Sequence, residues 1–139
     1  MRAVTVLLVD DDDIDVLSFR AGLAELHVAN PVVRAYDGLD ALAVLRGQDP
    51  QRPLPQPYLI VLDLKMPRMG GLEFLAELRA DPDLQRSVVF VLTTSTDDEE
   101  KVRVFDHHVA GFIVKSRPAH GFLEVVTLLD HYWRLVELP

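Results

Sequence analysis

Five short apolar runs, each ending on a polar residue and each separated from the next by a stretch of helical period, constrain this chain more than anything else in it. The runs occupy residues 4–9, 32–36, 58–62, 88–92 and 111–114. They are rich in β-branched residues, too short for helices, and apolar at successive positions. Such runs are strands buried on both faces. Between them Val16, Phe19, Leu23 and Leu26 recur at helical spacing, as do Leu39, Leu42 and Leu45 within 38–46, and Leu72, Leu75 and Leu78 within 71–80. Thr96-Asp97-Asp98-Glu99 has the form of a capping box opening a helix toward His108. Phe122, Val125, Val126, Leu129, Tyr132, Trp133 and Val136 line one stripe of a final helix. The order is βαβαβαβαβα. Right-handed crossovers turn that order into an α/β fold, a doubly wound sheet of five parallel strands with helices on both faces.

At 139 residues and 49% hydrophobic content the chain has the size of one domain with a real core, spanning 1–139. No output module is expected after the last helix. Residues 47–57 carry four prolines and no hydrophobic period. They predict a long loop, more readily a surface insertion than a binding site. The net charge of −8 and the scattered arginines make nucleic acid and anionic lipid poor partners. Without cysteine there is neither a disulfide framework nor a thiolate metal site. The first apolar stretch is too short for a signal peptide, and no later run reaches membrane-spanning length. A cytoplasmic location is expected.

In open parallel sheets ligands bind outside the carboxyl ends of the strands. The strands deliver to that edge Asp10 and Asp11, then Asp63, Thr93 and Lys115. Three converging acids repel one another unless a cation joins them, and an all-oxygen donor set suits Mg²⁺. Thr93 and Lys115 are then placed to hold phosphate oxygens, one by hydrogen bond and one by charge. The chemistry that fits is phosphoryl transfer to a carboxylate nucleophile, with Asp63, alone on a central strand, the best candidate. The plainer alternative is helix-start acids plus a loop acid with no site. Any one residue favours that alternative, but five at successive strand ends reverse it. Asp11, Asp13 and Asp15 alternate as in an EF-hand loop, yet Val16 and Gly22 stand where that loop needs glycine and glutamate. The five histidines have no ligand spacing and are read as surface residues.

Val9-Asp10-Asp11, the run Leu62-Asp63-Leu64-Lys65-Met66-Pro67 with Met69 and Gly71, Val91-Leu92-Thr93 and Phe112-Ile113-Val114-Lys115 together resemble the motifs of response-regulator receiver domains. The resemblance spans nearly the whole chain, in order and at the family's spacing. It implies the (βα)5, flavodoxin-like receiver fold. It also implies that Asp63 is the phosphoacceptor, and that Mg²⁺ is ligated by Asp11, Asp63 and the Lys65 carbonyl, with Asp10 helping mostly through water. Thr93 and Lys115 then bind the phosphoryl group. Phe112 matches the aromatic that swings inward when Thr93 moves; its alternative is a plain strand core residue.

The family's lysine usually precedes a proline through a cis bond, whereas Lys115 precedes Ser116. A cis bond before a non-proline residue costs roughly 3 kcal/mol, so the Lys115-Ser116 bond is either trans or held cis by the site. Lys115-Ser116-Arg117, the proline-rich loop and the Leu138-Pro139 tail resemble stand-alone regulators that receive phosphoryl groups from phytochrome-type histidine kinases. The expected partner is therefore a histidine kinase, and the chain acts only on its own phosphorylation and dephosphorylation rather than as an enzyme on other substrates. Aspartate-nucleophile phosphatases of the haloacid dehalogenase type are a rival. They place a second aspartate two residues after the nucleophile, where this chain has Lys65. A binding module that has lost phosphorylation is a second rival, against which the intact acid, hydroxyl and ammonium set speaks. The last helix also carries Leu128 and Leu135 on a second line. A homodimer through that helix, the fifth strand and the tail is expected, the alternative being that the tail folds back over both leucines.

Overall fold

A strand that is apolar on both faces has to be covered on both, and the architecture follows from that need. The computed structural model describes residues 3–64, 66, 68–93, 103–114 and 123–139. The strands are β1 (Thr5–Val9), β2 (Val32–Ala35), β3 (Tyr58–Leu62), β4 (Val89–Thr93) and β5 (Gly111–Val114). The helices are α1 (Asp13–Glu25), α2 (Gly38–Leu45), α3 (Gly71–Ala80) and α4 (Leu123–Leu135). Residues 103–105 are also helical. The predicted capping box at 96–99 and Phe122 lie outside the described residues.

The sheet is all parallel, in the order β2-β1-β3-β4-β5. The doubly wound fold expected from the alternation is therefore the one observed. Two cores divide along its faces. On one, Leu7, Val9, Ile60, Leu62 and Val91 pack against α2, α3 and Val104. On the other, Val6, Leu8, Leu59, Val61 and Leu92 pack against α1 and α4, through Phe19, Val126, Leu129 and Trp133. Alternate residues of each strand enter opposite cores, which is why the runs show no polar alternation.

Local details depart from the sequence expectations where the chain turns. Tyr36 lies outside β2 and is exposed. Asp37 after it caps α2 by accepting from the Asp40 amide at 2.9 Å. Leu26 is the C-cap of α1, not a member of its buried stripe, because His27 takes the left-handed conformation with φ 54° and turns the chain. Val136 is likewise exposed instead of inward, since α4 ends one residue earlier. The tail does fold back, with Leu138 against the α1/α4 core, but Leu135 stays 83% and Leu128 47% exposed.

The proline-rich loop is docked rather than merely tolerated. Arg52 donates two hydrogen bonds to the Asp40 carboxylate at 2.8 and 2.6 Å, one to Asp49 at 2.8 Å and one to the Arg34 carbonyl at 2.9 Å. Leu54 packs on the α2/α3 core. Farther along, the Arg79 guanidinium binds four carbonyls, those of Gln85, Ser87, His107 and His108. It thereby joins α3 to the segments that flank β4, and its burial lowers its pKa.

Candidate functional site

The strand order reverses direction between β1 and β3, and a crevice opens at the carboxyl ends of strands at such a point. Val9 pairs with Leu62 in register, and the Asp63 amide donates to the Val9 carbonyl at 2.9 Å. Asp10 and Asp63 are thus the first residues beyond two adjacent strands. Asp11 follows on the turn into α1. Carboxylate oxygens of Asp10, Asp11 and Asp63 lie within 4.8 Å of one another. Asp10 is buried, Asp63 half-buried and Asp11 exposed, so the cluster opens to solvent on one side. The structure brings together these three predicted residues. Thr93 ends β4, and its side chain lies outside the described residues, as do Lys65, Lys115 and Ser116.

The turn carrying the first two acids is fixed by its own hydrogen bonds. Asp10 Oδ1 accepts from the Asp12 amide at 2.9 Å, and Asp12 in turn caps α1 by accepting from the Ile14 amide at 2.8 Å. Asp13 and Asp15 fall in the first turn of α1, where the helix dipole favours negative charge. Arg34 on β2 reaches the same turn. Its Nε donates to the Asp10 carbonyl at 3.0 Å and its Nη1 to Asp13 at 2.8 Å.

The loop after Asp63 is held just as tightly. Gly71 opens α3 and its amide donates to the Leu64 carbonyl at 2.9 Å. A Cβ on Gly71 would sit 2.7 Å from the Leu64 Cα, so only glycine lets the helix come this close. Gly38 meets Met69 the same way, with a built Cβ 2.6 Å from the Met69 Cγ. Arg68 adds an ion pair at 2.6 Å to Asp37, a buried carboxylate. The start of α2 and the loop following Asp63 therefore form one welded unit.

Phe112 on the edge strand β5 is half-buried, with its ring 6.4 Å from that of the exposed Phe105. Arg34, Arg52 and the Arg68–Asp37 pair are contributions that the sequence reading missed. One signal was available for Arg34, a charged residue inside the otherwise apolar four-residue strand VVRA.

An all-oxygen cluster at this spacing fits a hard divalent cation with room for water. No helix among the described residues is long and apolar enough to cross a membrane.

Comparison with known proteins gives the same answer by an independent route. Residues 6–127 match the family described as the response regulator receiver domain. The chain is 34% identical to the response regulator Rcp1 of Synechocystis sp. over 135 residues, which cover 96% of this chain and 92% of Rcp1. It is similar to the crystal structure of the phosphorylated cyanobacterial phytochrome response regulator RcpA, with a TM-score of 0.88, 33% identity and 99% of each chain covered. The Mn(2+)-bound form of Rcp1 is similar too, with a TM-score of 0.85, 34% identity, and 98% of this chain and 99% of that one covered. From the sheet, the placement of Asp10, Asp11 and Asp63 at its switch point, and these matches, the chain belongs to the response regulator receiver domain family, the divalent-metal-binding partners of histidine kinases in two-component phosphorelays.

Proposed function

We propose that Asp63 is the residue phosphorylated in this receiver, and that Mg²⁺ is the ion required. The observation that carries this reading is the gathering of three carboxylates from β1 and β3 within 4.8 Å. Asp63 leads directly into the loop that the Gly71 and Gly38 contacts hold in place. One of its oxygens attacks phosphorus in line as the donor's P–N bond breaks, and the leaving imidazole nitrogen keeps the electron pair and takes a proton. Bound at Asp10, Asp11, Asp63 and the Lys65 carbonyl, Mg²⁺ would offset charge on the phosphoryl oxygens. Thr93 and Lys115 hold the remaining oxygens, and Phe112 moves inward as Thr93 is drawn to the phosphate. The half-burial of Phe112 beside Phe105 suits a ring with two positions better than a fixed core side chain.

The receiver acts as a phosphorylation-dependent regulator in the cytoplasm and turns over only its own phosphoryl group. Its histidine kinase is of the phytochrome type, a reading supported by its likeness to RcpA and to the bacteriophytochrome response regulator AtBRR. A homodimer through β5, α4 and the tail is supported by Leu128 and Leu135, which Leu138 leaves uncovered. Sedimentation of the wild type at high micromolar concentration should show a dimer, and Leu135→Glu should shift it to monomer. A monomeric wild type, phosphorylated or not, ends the dimer reading.

Acetyl phosphate with Mg²⁺ tests the acceptor. The wild type should gain one hydroxylamine-labile phosphoryl group, and Asp63→Asn none, with an unchanged melt. Rapid labelling of Asp63→Asn at a single site would show that another residue is the acceptor.

A further inference from the structure

Arg34 grips the acid cluster from the side. Its side chain is 13% exposed, and its guanidinium carbon lies over the Tyr36 ring, 3.8 Å from the centroid. Stacking of this kind fixes the plane of the guanidinium fork. From that plane Nε donates to the carbonyl of Asp10, and Nη1 to the Asp13 carboxylate. The two contacts straddle Asp11. The Asp10 carbonyl belongs to the peptide unit joining Asp10 to Asp11, so holding that oxygen holds the relative orientation of two of the three clustered carboxylates. The remaining Nη2 is buried and has no hydrogen-bond partner among the described residues. A buried donor left unpaired costs stability, and the fork keeps this pose through its other contacts. Arg34 is itself secured from behind, where Arg52 of the proline-rich loop donates to its carbonyl at 2.9 Å.

We propose that Arg34 is a positioning residue for the divalent-cation site, clasping the β1–α1 turn so that Asp10 and Asp11 present their carboxylates toward Asp63. This rests on the reading of Asp10, Asp11 and Asp63 as that site. Two effects of Arg34 oppose each other. As a cation beside an acid cluster it weakens binding of a second cation, whereas as a clasp it strengthens binding by preorganising the ligands. Ligand-orienting partners of this kind typically change metal affinity by about 10–100-fold. The clasp is therefore the larger effect, and the sign of the change separates the two roles.

The test is titration with Mn²⁺, followed by the electron paramagnetic resonance of the free ion. Arg34→Gln should raise the Kd about tenfold. Arg34→Lys, which keeps the charge but lacks the planar fork, should lose nearly as much. Tyr36→Leu removes the stacking platform without changing charge, at an exposed position where folding is not at risk. It should raise the Kd about two- to threefold, a step toward the loss of the clasp. Arg52→Gln removes the support behind Arg34 and lowers thermal stability, and it should raise the Kd by less than Arg34→Gln does, because the Arg34 side chain keeps its own contacts. Tighter binding by Arg34→Gln together with wild-type binding by Arg34→Lys would show that Arg34 acts by charge alone and overturn the proposal. Unchanged affinity in Tyr36→Leu and both Arg34 variants would overturn it as well. A wild type that binds no Mn²⁺ would remove the cation site itself, a failure distinct from that of Arg34.

Discussion

Gly71→Ala and Gly70→Ser, neighbouring substitutions in one turn, should have opposite signs. A methyl on Gly71 would lie 2.7 Å from both the Cα and a terminal methyl carbon of Leu64, and 3.2 Å from the Asp63 carbonyl. The Leu64 side chain can turn away, but its Cα cannot move without moving the loop that follows Asp63. Forcing extra carbon into a packed site costs about 1–3 kcal/mol. Alanine returns less than the ~1 kcal/mol of helix propensity it brings to a helix interior, since Gly71 is the first helical residue. The net loss is about 1–2 kcal/mol, or roughly 3–7 °C in melting temperature for a chain of this size. Displacement of the Asp63 backbone should also slow labelling by acetyl phosphate by about ten- to a hundredfold. At Gly70 a Cβ meets nothing nearer than 3.6 Å among the described residues, and this N-cap makes no side-chain capping bond. Serine there supplies an acceptor and should hold or raise stability by a few tenths, on the order of 0.3 kcal/mol. Circular dichroism melts of both variants, with labelling rates by mass spectrometry, decide the matter. A Gly71→Ala protein that melts and labels like wild type, or a Gly70→Ser protein the more damaged of the two, would refute the steric reasoning.

Three further outcomes follow from the site and its surroundings. Mg²⁺ at ten times its Kd should stabilise the fold by about 1.4 kcal/mol. The gain should vanish in Asp11→Ala, and a wild-type melt indifferent to the ion would count against the cation site. Arg52→Ala strips the proline-rich loop of its bonds to Asp40, Asp49 and the Arg34 carbonyl and should cost about 1–3 kcal/mol at neutral pH. The hydrogen bond from Arg52 holds the Asp40 carboxyl below its ordinary pKa. That stabilisation is therefore complete above the unfolded pKa of about 4 and fades as pH falls through the lowered folded value. Urea unfolding at pH 7 and pH 3 should show wild type and variant converging in acid, and an equal gap at both pH values would contradict this. Ile14 and Leu17 are 72% and 67% exposed on α1, beside the acid cluster. Changing both to glutamate should slow transfer from a histidine kinase about tenfold or more, while acetyl phosphate labelling stays as in wild type. Equal slowing with both donors would place the defect in the site rather than in docking.

The alternation of β-branched runs with helical-period stretches by itself determined the element order, the parallel sheet and the strand ends where chemistry collects. Burial on both faces leaves no other use for five apolar runs of four to six residues. Because a parallel strand ends where its apolar run ends, the same pattern marks Asp10, Asp11 and Asp63 as neighbours. Its failures fall at Leu26, Tyr36 and Val136, apolar residues at turns, where a cap or a left-handed residue outweighs the periodicity. Only the tertiary structure decided how the acid turn is held. Arg34 lies on the edge strand β2, Asp13 on α1 and Arg52 in a loop that sequence alone presents as an insertion. Hydrogen bonds between residues 21, 24 and 18 positions apart leave no period in the sequence, because long polar side chains reach their partners only after the sheet has brought those strands together.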